Sequence, residues 1–197
     1  MNRSFRLATL ALLLALVAAA QPSGAGVATA SGPQPYCGIR WGSLPKNHLV
    51  STYTTATVEN LRAGRHACFD RLVVDLGPRR SGLPGPQGNG YQVRYVPEVH
   101  FGASGEPLSI LGGALLGIVV NAPAHDDDYE PTYDPADRLS AVDVTGFRTF
   151  RQVAFLGSFE SQTEVVVGVR ARLPFRTFVL SGPDGGSRLV IDVAHRW

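Results

Sequence analysis

From residue 165 to residue 179 the chain alternates with a period of two. Val165, Val167, Val169, Ala171, Leu173, Phe175, Thr177 and Val179 hold the odd positions, and Arg170, Arg172 and Arg176 fall on even ones. Successive side chains of an extended strand point to opposite faces, so this spacing calls for a sheet with an apolar inner face and a basic outer face. A helix would spread the same residues around its circumference. Pro174 has no N–H to give to a ladder, so the stretch divides into two strands joined near Leu173 and Pro174.

Weaker versions of the same signal recur along the chain. Residues 53–58, rich in Thr and Val, read as a first strand. Residues 67–76 read as a second, with Leu72, Val74 and Leu76 on one face and Arg71, Val73 and Asp75 on the other. Residues 91–99 alternate again, and 115–120 form a continuous apolar run that suits a strand buried on both faces. Pro183, Asp184, Gly185 and Gly186 supply turn residues that accept positive φ, and a last strand follows over 188–193. Gly- and Pro-punctuated residues 77–90 and acidic residues 125–137 read as loops. No helical pattern of useful length appears beyond the N-terminus. Seven or more short strands between such turns indicate an all-β fold, an antiparallel β-sandwich or barrel. Leu72, Val74, Leu189 and Ile191 are expected to share its core.

The pentad Arg71, Leu72, Val73, Val74, Asp75 is echoed by Arg188, Leu189, Val190, Ile191, Asp192. Two accounts fit. Paired antiparallel in one register, the strands would set Arg71 opposite Asp192 and Asp75 opposite Arg188. The pentads could instead mark equivalent strands in opposing sheets.

The N-terminus reads as an export signal over residues 1–30. Arg3 and Arg6 precede an apolar run from residue 7 to residue 20, and small residues follow with cleavage sites after Ala20 and Ala30, the latter preferred. The run falls short of the roughly 20 residues that span a bilayer, which argues against the alternative of an uncleaved anchor. A flexible leader and N-terminal segment then occupies 31–50, and the folded domain 51–197. Removing two of the 18 basic residues matches the 16 acidic ones, so the mature chain carries no net charge. That argues against nucleic acid as a partner, and no second segment reaches membrane-spanning length. The expected location is extracytoplasmic, secreted or in the cell envelope. There, Cys37 and Cys68, the only cysteines, read as a disulfide, with two buried free thiols as the alternative.

Signs of catalysis are missing. Ser104 and Ser158 lie outside any nucleophile elbow, and the five histidines are scattered without metal-ligand spacing. The acidic run from His125 to Glu130 lacks a calcium-loop pattern and reads as a solvated loop. No catalytic residue, metal site or cofactor is expected. What remains is a binding surface: Arg170, Arg172 and Arg176 on one strand face, with Arg148, Arg151, Phe147, Phe150, Phe155 and Phe159 upstream. Guanidinium forks suit carboxylates and phosphates, and aromatic faces suit sugar rings. The alternative is a solvated face whose arginines pair with neighbouring acids.

Four segments carry a resemblance: GRHACFDRLVVD at 64–75, FRQVAFLGSFE at 150–160, VRARLPFR at 169–176 and LVIDVAHRW at 189–197. They resemble the AMIN-like domain of secreted actinobacterial proteins, over residues 36–197, and more distantly the AMIN domains of envelope amidases and secretins. The resemblance implies a β-sandwich of two related sheets, and it favours the opposing-sheet account of the echoed pentads. It also implies a non-catalytic module that engages peptidoglycan or another wall polysaccharide. The alternative is a protein-interaction domain that docks an envelope protein through a sheet edge or the aromatic region at 147–160.

Overall fold

A computed structural model of the chain describes residues 34–49, 56–78, 90–101 and 105–197. The expected signal over 1–30, the start of the strand expected over 53–58, and most of the loop at 77–90 lie outside the described residues. Among those described there are nine strands: β1 (Lys46–His48), β2 (Val58–Arg65), β3 (Phe69–Leu76), β4 (Tyr91–Val96), β5 (Ala114–Val120), β6 (Phe150–Phe159), β7 (Gln162–Val169), β8 (Phe175–Ser181) and β9 (Ser187–Ala194). No α-helix is present among the described residues, only short 3-10 turns.

The strands form two antiparallel sheets, in the orders β1-β4-β5-β7-β6 and β2-β3-β9-β8. Period two explains how they close on each other. On β3, Leu72 and Val74 point inward beside Ile191 and Leu189 of β9. All four sit in one core with Leu116, Ile118, Val153, Val165 and Phe175. Burying each such side chain fully contributes about 1.5–3 kcal/mol. A second, smaller cluster, Val99, Ala154, Leu156 and Val166, lies on the outer side of the five-stranded sheet under Leu108 and Ile110. The covering segment approaches so closely that a Cβ on Gly168 would stand 1.9 Å from the Leu111 carbonyl oxygen. One outer face is therefore partly covered by the chain itself.

The alternating stretch splits where Pro174 requires it. β7 ends at Val169 in the five-stranded sheet, and β8 begins at Phe175 in the four-stranded one. Tyr95 of β4 fixes the crossover by donating to the Leu173 carbonyl at 2.7 Å and accepting from the Leu173 N–H at 3.0 Å. The buried Asp70 carboxylate joins the sheets elsewhere, accepting from the Thr149 and Phe150 N–H groups at 2.5 and 3.2 Å. Its other oxygen lies 3.1 Å from His195 Nε2.

The echoed pentads require a correction. They are neighbours in one sheet, with Arg71 opposite Asp192 and Asp75 opposite Arg188 on β3 and β9. Cross-strand pairing of opposite charges accounts for the pattern, and the opposing-sheet account does not hold. The first strand also differs from expectation: Val58 opens β2, which runs on to Arg65.

Candidate functional site

Alternation places Arg71, Val73 and Asp75 of β3 on the outer face of the four-stranded sheet. In register beside them stand Asp192, Val190 and Arg188 of β9, then Arg176 and Phe178 of β8, with Arg62 of β2 next to Val73. Two arginine–aspartate–arginine clusters result. In the first, Arg71 Nε and Nη2 donate to Asp192 Oδ1 and Oδ2 at 2.6 and 2.9 Å, and Arg176 Nε donates to Oδ2 at 2.8 Å. In the second, Arg62 grips Asp75 at 2.7 and 3.0 Å, and Arg188 Nε stands 3.4 Å from the same carboxylate. That bond to Asp75 raises the Arg62 pKa above its ordinary value. Four residues of strand separate the clusters, about 13 Å at roughly 3.3 Å per residue.

The clusters differ in their surroundings. Glu59 and Asp184 also line the hollow around Arg62, Asp75 and Arg188, so acids balance that end. The Asp192 end is aromatic instead. The Arg71 guanidinium lies 5.2 and 5.4 Å from the ring centres of Phe69 and Phe178. That of Arg176 lies 5.5, 5.5 and 5.1 Å from Trp41, Phe69 and Phe178. Asp192 is fully buried, while the side chains of Arg71 and Arg176 are 23% and 33% exposed. Two cations share one anion, leaving a surplus positive charge at the surface. The rings and the carboxylate hold both guanidinium planes in place, an arrangement suited to bidentate contact with a carboxylate or phosphate.

Trp41 reaches this face because a disulfide brings it there. Cys37 is bonded to Cys68, just before β3, with Cα atoms 6.4 Å apart. The strap between Cys37 and β1 lies along the sheet, with Trp41 5.9 Å from the Phe69 ring and its Nε1 donating to the Tyr36 carbonyl at 2.9 Å. Farther on, Phe175 N donates to the Gly42 carbonyl at 2.8 Å. The expected disulfide is present.

The sequence-predicted binding residues do not converge. Arg176 belongs to the face just described. Arg170 and Arg172 lie in the crossover between the sheets and share no strand face with it, because the chain changes sheet there. Arg170 donates to the His195 carbonyl, and Arg172 stacks 4.8 Å from the Tyr95 ring centre. Arg151, exposed on β6, donates to the carbonyls of Phe147, Arg148 and Phe150. Phe155 is a core residue in edge-to-face contact with Tyr133, and Phe159 is exposed at the hairpin end; both line a separate cleft. The acidic loop turns on itself, with Asp126 Oδ1 accepting from the N–H groups of Asp128 and Glu130 at 2.9 and 3.0 Å. The sequence reading missed Arg71, Phe69, Phe178 and Trp41 as site residues. The pentad echo signalled Arg71, and the link from Cys37 to Cys68 signalled the strap.

Comparison with known proteins adds the family. The AMIN-like domain matches residues 56–195. No curated protein and no solved structure matches the chain. Such a domain, with a disulfide, suggests a non-catalytic, extracytoplasmic, envelope-associated module. No helix among the described residues is long and apolar enough to cross a membrane. The matched span covers eight of the nine described strands in full and more than half of the chain, so the chain belongs to the AMIN-like family.

Proposed function

We propose that this protein is a binding module of the cell wall, engaging peptidoglycan or another anionic wall polysaccharide through the Asp192 end of the four-stranded sheet. One observation carries the reading: Arg71 and Arg176 share the single buried carboxylate of Asp192, and their guanidiniums lie against the rings of Phe69, Phe178 and Trp41. A surplus charge held this way suits the carboxylates and phosphates of wall polymers. With no net charge on the mature chain, attraction depends on such a local patch. Residues 1–30 act as the signal, cut after Ala30; the segment 31–50, tied by the disulfide, adds Trp41 and β1 to the domain of 51–197.

Co-sedimentation with purified sacculi tests the reading. Binding is expected at low ionic strength and should weaken as salt rises, because exposed ion contacts are screened beyond about 8–10 Å near physiological strength. Failure to sediment at low salt, together with capture of a defined envelope protein, would support the protein-interaction alternative instead.

A further inference from the structure

Beside the end of the β6–β7 hairpin, away from the arginine face, lies a cleft of about 710 Å³, within the size range of ligand sites. It runs along the outer strand of the five-stranded sheet. The loop bearing Tyr133, Asp134 and Arg138 forms one wall, and Phe155, Phe159, Glu160 and Glu164 contribute to the other.

One half of the cleft contains a cation supplied by the chain itself. Arg138 donates to Asp134 Oδ1 at 2.9 Å, and its guanidinium stands 5.6 Å from the Phe155 ring centre. A carboxylate and an aromatic ring thus hold a guanidinium, the geometry of cation–π recognition. The other half has the same kinds of group without the cation. Phe159 is 77% exposed. Glu160 and Glu164, which line the same cleft, form no ion pair among the described residues. The tight hairpin fixes Glu160 there, since Glu160 and Ser161 take φ of 47° and 63°, the conformation of a two-residue turn that matches strand twist. Three carboxylates, Asp134, Glu160 and Glu164, and one guanidinium, Arg138, line the cleft, so an anionic wall polymer is repelled.

We infer that the Phe159–Glu160–Glu164 half of the cleft binds an organic cation next to an apolar group. The occupant is a lysine or arginine side chain in an extended segment of a partner protein. The cation would lie against Phe159 and pair with the two glutamates, while neighbouring apolar side chains fill the space beside Phe155 and Tyr133. This site works independently of the arginine face, so one module offers a basic surface to the wall and an acidic, aromatic cleft to a protein.

Amide NMR of the full mature chain tests this with the peptide acetyl-Leu-Lys-Leu-amide. Its uncharged counterpart, with norleucine in place of lysine, and glucosamine serve as comparisons. The lysine peptide should shift resonances at 133–138 and 155–164, bind at least tenfold more tightly than the norleucine peptide, and lose at least tenfold in affinity in the Glu160→Gln, Glu164→Gln double variant. Both substitutions are on exposed positions, and the same spectra report whether the fold is kept. Equal binding of the lysine and norleucine peptides would overturn the proposal. So would shifts confined to other residues, no shifts at millimolar peptide, or glucosamine binding as tightly as the lysine peptide.

Discussion

Arg71 and Asp192, 121 residues apart in the chain, stand directly opposite on adjacent strands with Nε 2.6 Å from Oδ1. Asp192 is fully buried and also serves Arg176. Removing this carboxylate alone leaves two guanidiniums facing each other with no anion between them. Losing one partner of a buried ion pair costs about 3–5 kcal/mol, so Asp192→Asn should lower stability by that order in urea denaturation. Asp75, with 23% of its side chain exposed, makes the equivalent contacts near the surface. Asp75→Asn should cost about 1 kcal/mol or less, as exposed pairs do. Equal losses from the two substitutions would contradict the distinction drawn between the clusters.

Much of the architecture is legible in the sequence where period two is unbroken. β3 and β4 fall within segments read as strands, and β5, β7, β8 and β9 each overlap one, running past its bounds by one to three residues. β2 and β6 are hidden for a shared reason. Their pairing registers shift, at Val58/Asn60 in β2 and at Phe150/Gln152 and Phe155/Gly157 in β6, and each bulge slips the inside–outside pattern by one residue. β1 is three residues long, too short to show a period. The site is half legible. Local alternation reveals Arg176, but its partners Arg71 and Asp192 come from distant segments, and only the sheet order brings them together. Arg170 and Arg172 share its spacing yet belong to a crossover, because alternation says nothing of which sheet a residue joins.

Tyr95 is expected to carry measurable stability at that crossover. Phenylalanine in its place would strand both the N–H and the carbonyl of Leu173, costing about 1–3 kcal/mol. Burial raises the Tyr95 pKa above its ordinary 10.0, more than its hydrogen bond to Leu173 lowers it. The neutral phenol therefore contributes stability that is fully present below pH 10 and falls as pH rises through the higher folded value. Denaturation measured across alkaline pH should show a shallower decline in Tyr95→Phe than in the wild type. An identical slope in both proteins would remove Tyr95 from the alkaline response.

The disulfide closes a loop of 31 residues, worth about 3–4 kcal/mol in the chain-entropy account. A thiol-reactive label should find no free thiol in exported protein without reductant; two labelled cysteines per chain would count against the bond forming in vivo. The Cys37→Ser, Cys68→Ser variant should unfold about 3 kcal/mol more easily. It should also bind sacculi less well even where it stays folded, because Trp41 loses its tether beside Arg176. Unchanged binding in the folded variant would show that the strap is dispensable.

The most direct test removes the charges of the Asp192 cluster while keeping its volume. Replacing a buried ion cluster with apolar residues of similar size is often neutral or stabilising, so the triple variant Arg71→Met, Asp192→Leu, Arg176→Met should remain folded, as its melting temperature will report. Charge-assisted contacts are worth about 1.5–3 kcal/mol each, so losing both arginines should weaken sedimentation with sacculi at low salt by at least tenfold. Arg170→Ala, Arg172→Ala, which removes two arginines outside the face, should sediment as the wild type does. If the folded triple variant sediments unchanged while the Arg170, Arg172 variant fails, the wall-binding site lies at the crossover and not on the four-stranded sheet.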